Sequence, residues 1–161
     1  MSEIISHENT ELLALLLGQA QSKTYIDTVR DVQQQIADNA ELIDVPVEHH
    51  FAPGVYMRQM NAKAGTLVVS KMHRTEHMNI LLTGSLTVAT ENGIELMAAP
   101  AVLKSMPGTK RIGYFHEDSS WITVHPTDST DLEEIEKQVI VPEEEIDQFL
   151  ASLPSKCKGI E

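Results

Sequence analysis

Two periodicities divide the chain. Over residues 24–40, Ile26, Val29, Ile36 and Ala40 recur at helical spacing, and Pro46 closes the segment. Thr24 stands as cap, with Asp27 three residues on in capping-box position. An earlier apolar run, Leu12–Leu17, predicts a first helix capped by Asn9 or Thr10 and ended near Gly18. From His49 the pattern changes to short β-branched and aromatic runs separated by turn signals. Strands are predicted near 47–51, 55–61, 66–72, 78–82, 85–90, 94–97, 101–105, 110–116 and 120–125. Ala52-Pro53-Gly54-Val55 and Met106-Pro107-Gly108-Thr109 place Pro and Gly where a type II turn wants them. Glu91-Asn92-Gly93-Ile94 is a type I′ hairpin signal. After Pro126, residues 131–140 and 143–153 read as helices, with Pro142 at a first-turn position. So many short strands predict a mainly β sandwich or barrel. The expected organisation is an N-terminal helical arm (1–46), a β-barrel (47–127) and an acidic helical C-terminal segment (128–161).

Composition narrows the function classes. The 161 residues suit one domain with a real core. A net charge of -12 argues against a DNA or RNA partner, which would need a basic footprint. One cysteine, Cys157, excludes a disulfide framework and a thiolate metal cluster. No apolar run approaches the roughly 20 residues of a membrane span, and Met1–Ile5 has no signal-peptide character. A cytoplasmic protein with no membrane partner is expected.

The net charge hides a division. Residues 1–48 and 128–161 carry -7 each, whereas 49–127 carry +2 and six of the seven histidines. Glu-rich helical arms account for the ends as solvated faces. The cationic middle points to something anionic.

The run Gly65-Thr-Leu-Val-Val-Ser-Lys71-Met-His73-Arg-Thr-Glu-His77-Met-Asn-Ile-Leu-Leu-Thr-Gly84 resembles the first cupin motif without a gap. Lys71 stands at the first His position of that motif, His73 at the second, and His77 at the Glu position. Ser105-Met-Pro107-Gly108-Thr-Lys110-Arg111 looks like the second motif, with Arg111 at the third His position. The signatures His-Arg-Thr-Glu-His-Met-Asn-Ile-Leu, Pro-Gly-Thr-Lys-Arg and His-Glu-Asp further resemble a set of tailed-phage and prophage cupin proteins. The resemblance covers about residues 45–140. It implies a single cupin jelly-roll barrel with N-terminal and C-terminal helices, often a homodimer or higher homo-oligomer, in host cytoplasm if phage-encoded. It names no activity.

In a strand, positions two apart share a face, so Lys71 and His73 point the same way; His77 and Asn79 can return to that face. A metal-binding cupin presents three His and one Glu, but here Lys71 and Arg111 would repel a divalent ion. The metal reading therefore recruits His73, His77 and His125 for a divalent transition metal, with His116 as a further ligand or a general base. No cofactor is required by the sequence itself. The anion reading uses the same positions directly. Arg111 grips a phosphate or carboxylate bidentately, Lys71 adds a point charge, and His73, His77, Asn79 and Lys110 complete the pocket, with Arg58 and Lys104 joining if their parity faces inward. The bland reading pairs Lys71 and Arg111 with Glu76, Glu117 or Asp118 at the rim. Tyr56, Tyr114, Phe115 and Trp121 are expected in the core, and His49-His50 as an edge-strand pair. There is no nucleophile elbow and no glycine-rich phosphate loop.

Non-enzymatic binding of a small anion, a nucleotide or phosphorylated metabolite, is the first expectation. For a phage-type protein this would sequester a host signalling molecule. The alternative is a metal-dependent isomerase, lyase or dioxygenase acting on a small carboxylated or phosphorylated substrate. A third reading has the acidic ends wrapping a partner subunit or a basic protein around an inert barrel.

Overall fold

The computed structural model describes residues 3–6, 24–90 and 93–154. The predicted helix at 9–17, the tip of the Asn92-Gly93 turn and Cys157 lie outside the described residues. Among the described residues the strands are β1 (Glu3–Ser6), β2 (Val47–Ala52), β3 (Val55–Ala62), β4 (Thr66–Val69), β5 (Met72–His73), β6 (His77–Thr83), β7 (Ser85–Thr90), β8 (Gly93–Ala98), β9 (Ala101–Ser105), β10 (Ile112–Phe115), β11 (Ser119–His125) and β12 (Ile140–Val141). The described helices are α1 (Tyr25–Asn39), α2 (Leu132–Val139) and α3 (Ile146–Ser152), the last preceded by a 3₁₀ turn at Glu143–Glu145.

One antiparallel sheet runs β1-β4-β10-β7-β8, and the other runs β2-β3-β11-β6-β9. Take β3, β4, β6, β7, β8, β9, β10 and β11 as strands one to eight. The sheets then read second–seventh–fourth–fifth and first–eighth–third–sixth, the interleaved Greek keys of a jelly roll. The fold is mainly β. All nine predicted strands appear, and the predicted run 66–72 breaks at Ser70-Lys71 into β4 and β5. β5 leaves the main sheets and pairs instead with β12, Ile140 facing His73 and Val141 facing Met72.

Described segments on both sides of the barrel pack against it. β1 adds a strand beside β4. Thr24 caps α1 by accepting from the Asp27 amide. The buried stripe of α1 is Val29, Val32 and Ile36, laid on Leu67, Val69, Ala89 and Ile112 of the first sheet. Ala40 departs from the expected stripe: it is the C-cap and is exposed. α3 follows on Ile146, which packs with Met72 and Val141.

Two turns required a left-handed glycine, and both have it. Gly54 and Gly108 sit at φ 77° and 87°, as the type II reading demands. Gly84, which ends the first motif and joins β6 to β7, is constrained twice. Its φ is 87°, and a β-carbon there would come within 2.7 Å of the Asp118 carbonyl oxygen. Gly84→Ala is therefore expected to cost at least about 2 kcal/mol of stability, measured as a shift in the urea midpoint with an unchanged slope.

Candidate functional site

The register of the second sheet stacks its inward side chains in layers across the strands. At the mouth, Tyr56 of β3 faces His125 of β11. One residue beyond the Val124–Met78 pair, His125 lies beside His77 of β6, which faces Ser105 of β9. The next layer is Arg58, Thr123 and Asn79, and the one below it is Met60, Trp121 and Leu81. Across the barrel, Arg111 just before β10 and Gly113 and Phe115 within it line the cavity. These walls enclose a cavity of about 160 Å³. Its mouth end is polar and its base, Met60, Val68, Leu86, Val88, Phe115 and Trp121, is apolar.

α2 lies over part of the mouth. Leu132, Ile135, Glu136 and Val139 stand at i, i+3, i+4 and i+7, one helical face, and all four line the cavity. Ile135 and Val139 pack with Tyr56. The Asp131 side chain caps the helix by accepting from the Glu133 and Glu134 amides at 2.9 and 3.2 Å. The single carboxylate on this face, Glu136, accepts from Lys71 Nζ at 2.6 Å. The pair also lines an outer cleft of about 510 Å³ that shares Ser70, Lys71, Glu136 and Ile140 with the cavity. It therefore forms part of the wall between the two.

Three imidazoles meet under α2. The ring centroids of His73 and His77 are 4.2 Å apart, those of His77 and His125 4.9 Å, and those of His73 and His125 5.6 Å. β5 carries His73 inward, its backbone held by Thr109 and Gly108 at 3.2 and 2.8 Å. His77 Nδ1 donates to the Thr75 carbonyl oxygen at 3.0 Å, which leaves Nε2 as the acceptor. His125 Nδ1 is buried with no hydrogen-bond partner. Burial lowers all three pKa values. For His73, His77 and His125 add to the fall and the value goes well below the usual one. His77 is lowered by burial, opposed by the Thr75 hydrogen bond. His125 falls to about 4, burial first and His77 second. The cluster is neutral at pH 7.

The cations are placed around this neutral cluster. Arg111 donates from Nη1 to Ser105 Oγ at 2.7 Å, and Asn79 Nδ2 donates to the same oxygen at 2.7 Å. Arg58 lines the cavity with a buried Nε that has no hydrogen-bond partner. With Lys71, three cations and one carboxylate, Glu136, line the space, leaving +2.

Lys71, His73, His77, Asn79, Arg111 and His125 are thus brought together as the sequence suggested. Two expected residues are elsewhere. Lys110 is buried away from the cavity, where its Nζ donates to Glu143 Oε1 and the Ser70 carbonyl at 2.8 and 3.0 Å. Lys110 and Arg111 precede β10, and the two neighbouring side chains point to different sides of the chain. His116 is exposed, its Nε2 against Thr87 Oγ1 at 2.7 Å, and does not line the cavity, so it is not placed as a base or ligand there. The neighbouring acids do not orient it: Glu117 accepts from Ser85 Oγ and Asp118 from Lys63 Nζ. The partner foreseen for Lys71 also changes, since Glu76 pairs with Lys104 and Glu136 takes its place. Glu136 was missed. Its signal was an acid at i+4 within the apolar stripe 132/135/139. The pair His49–Tyr56, with Nδ1 and OH 2.8 Å apart, was also missed as a feature of the cavity wall.

The histidine cluster does not fit a metal as it stands. Imidazole lone pairs lie in the ring planes and must converge on one point, whereas His73 and His125 lie stacked at 16°. Among the described residues no three His, Cys, Asp or Glu groups are arranged to hold an ion.

No family model and no curated protein matches the chain. It is similar in structure to an acetylacetone dioxygenase from Acinetobacter johnsonii, at 17% identity and a TM-score of 0.44, covering 51% of this chain and 59% of that one. The chain thus spans about three fifths of that protein. It is also similar to the EutQ protein of Clostridium difficile (16%, TM-score 0.43, 53% and 70% covered) and to a cupin-2 domain containing protein from Shewanella frigidimarina (11%, 0.42, 59% and 91%). The jelly roll rests on the strand order above, and the site on its own chemistry. No described helix is long and apolar enough to cross a membrane.

Neutral imidazoles make stability depend on pH in a definite direction. Unfolded histidines titrate near 6.5, and His125 when folded titrates near 4. Between those values the unfolded chain binds more protons, so stability is full above about pH 6.5 and falls as the pH is lowered toward 4. His125 alone contributes on the order of 3 kcal/mol across that window. Urea unfolding at pH 7.5 and 5.0 should show this loss, and His125→Asn should remove part of it. Equal stability at both pH values would contradict a neutral cluster.

Proposed function

We propose that the barrel binds a small anionic molecule beneath α2. The observation that carries this reading is the charge along the cavity lining. Arg58, Lys71 and Arg111 face it against the one carboxylate of Glu136, and the Arg58 Nε proton is buried without an acceptor. A guanidinium and an ammonium at the wall favour an anionic oxygen in the cavity through charge-assisted hydrogen bonds. Neutral His73 and the Asn79 amide supply further donors. Fields from the walls are focused in such a space, so the acidity of the whole chain does not forbid an anion there.

The volume limits the ligand. An engineered cavity of roughly 150 Å³ holds benzene, so about 160 Å³ takes a carboxylate or a phosphorylated metabolite of that scale. A nucleotide is too large while α2 stays in place. Sequestration of a small host metabolite by a phage-type cupin protein is the biological setting that the sequence resemblance supports.

Isothermal calorimetry at pH 7 with acetate, benzoate, inorganic phosphate and glycerol 3-phosphate tests the reading. At least one should bind. Arg58→Ala should weaken it by roughly ten- to a hundredfold, the worth of a charged hydrogen bond, with the circular dichroism spectrum unchanged. Absence of heat with the whole panel would overturn the proposal.

The second reading, a metal-dependent isomerase, lyase or dioxygenase, draws on the three neutral imidazoles and on the Thr75 carbonyl that fixes the tautomer of His77. It requires His73 and His125 to turn out of their stack. Elemental analysis of protein purified without a histidine tag decides it. A stoichiometric transition metal that is lost in His73→Ala would favour it over anion binding, and trace metal would count against it.

A further inference from the structure

Resting on the anion reading, we infer that the ligand is an amphiphilic organic acid, held with its anionic head among the mouth cations and its apolar body in the base of the barrel. The layers dictate this polarity. Below the layer of Arg58, Thr123 and Asn79, the cavity is walled by Met60, Val68, Leu86, Val88, Phe115 and Trp121, with Gly113 between Val68 and Val88. No side chain in that part can hydrogen-bond an anion except the indole N–H of Trp121. Met60, Val68, Leu86, Val88 and Phe115 are all buried.

A wholly ionic ligand would use only the mouth and leave this surface facing a void. Apolar cavities of this kind exclude water and take apolar guests. An apolar body there removes its own surface from water and fills a gap in the packing of the core. Gly113 contributes room: a β-carbon at that position would meet Leu86 Cδ1 at 3.2 Å. The same walls set a length. About 160 Å³ must hold head and body together, which matches an acid of roughly six carbons or a single aromatic ring on the benzene scale. Geometry thus selects short-chain and monocyclic carboxylates, or phosphate esters of similar bulk, over polyols and sugars, whose hydroxyls would lie against Val68, Val88 and Phe115 unpaired.

The chain contains one tryptophan, and it lines the base. Trp121 fluorescence therefore reports on the compartment in question. The wild-type protein is titrated with acetate, butyrate, hexanoate, benzoate, decanoate and inorganic phosphate, with calorimetry run in parallel. Affinity should rise about fourfold per methylene from acetate to hexanoate, the value of a buried CH₂. Benzoate should bind comparably to hexanoate, and decanoate should fall below the trend. Emission should shift with hexanoate and benzoate and stay unchanged with phosphate. Val88→Phe, which fills the base, should flatten the chain-length series while acetate still binds; the wild-type series stands on its own if that variant does not fold. If phosphate and acetate bind as tightly as hexanoate and benzoate, the amphiphile inference is overturned and anion binding stands. If none of the six gives heat or a fluorescence change, the anion reading falls with it. Equal affinity for hexanol and hexanoate would show a purely apolar pocket and overturn both.

Discussion

The cover that α2 places over part of the barrel mouth is the constraint on which the site depends. An open jelly roll would leave His73, His77 and His125 in water, where imidazoles titrate near neutrality and exposed cations are screened. The apolar face of α2 lies over that layer, and β12 ties the end of the helix to β5, the strand that carries His73. Water is thereby removed from one polar layer. The imidazoles lose their charge, and Arg58 lines the same space with its Nε buried and unpartnered. Helix, strand pair and protonation state form one arrangement, and none of the three is meaningful without the others.

That arrangement resolves the contradiction in the charge. A chain of -12 appears unsuited to anions, yet its acids are placed where they answer cations outside the cavity. Glu143 holds Lys110, Glu76 holds Lys104, Asp118 holds Lys63 and Asp147 holds Arg30. Most of these pairs are solvent-exposed and contribute little stability. Inside, one carboxylate remains. Glu136 pairs with Lys71 and also acts on Arg58, so three cations stand against one carboxylate along the cavity lining. Net charge describes the surface, and the interior is set by which side of each strand a residue occupies.

That distinction also explains what could be read from the sequence. Strand positions, the two type II turns, the α1 cap and the grouping of Lys71, His73, His77 and Asn79 follow from local periodicity and spacing, and the jelly-roll strand order agrees with the cupin-like motif. Lys110 and Arg111 show the limit. They are neighbours in one Pro-Gly-Thr-Lys-Arg run, but their side chains point to different sides of the chain, Arg111 to the cavity and Lys110 to Glu143. The Lys71–Glu136 pair joins residues 65 apart, and nothing local specifies it. His116 attracted attention because Glu117 and Asp118 follow it, yet both acids found other partners once β10 turned into β11.

A core assembled for stability alone would not contain this layer. Burying three imidazoles forfeits their protonated states, and Arg58 Nε and His125 Nδ1 are each left without a hydrogen bond, at about 1–3 kcal/mol apiece. Well-packed apolar residues at such positions are often neutral or stabilising by comparison. The base of the same barrel shows that apolar packing was open to this fold: Val68, Leu86, Val88 and Phe115 occupy the equivalent depth of the opposite end with no polar partner needed. Departures from local stability of this kind concentrate where a protein acts. The mouth layer and the space beneath it lie in one cavity, and the ligand proposed above would satisfy both.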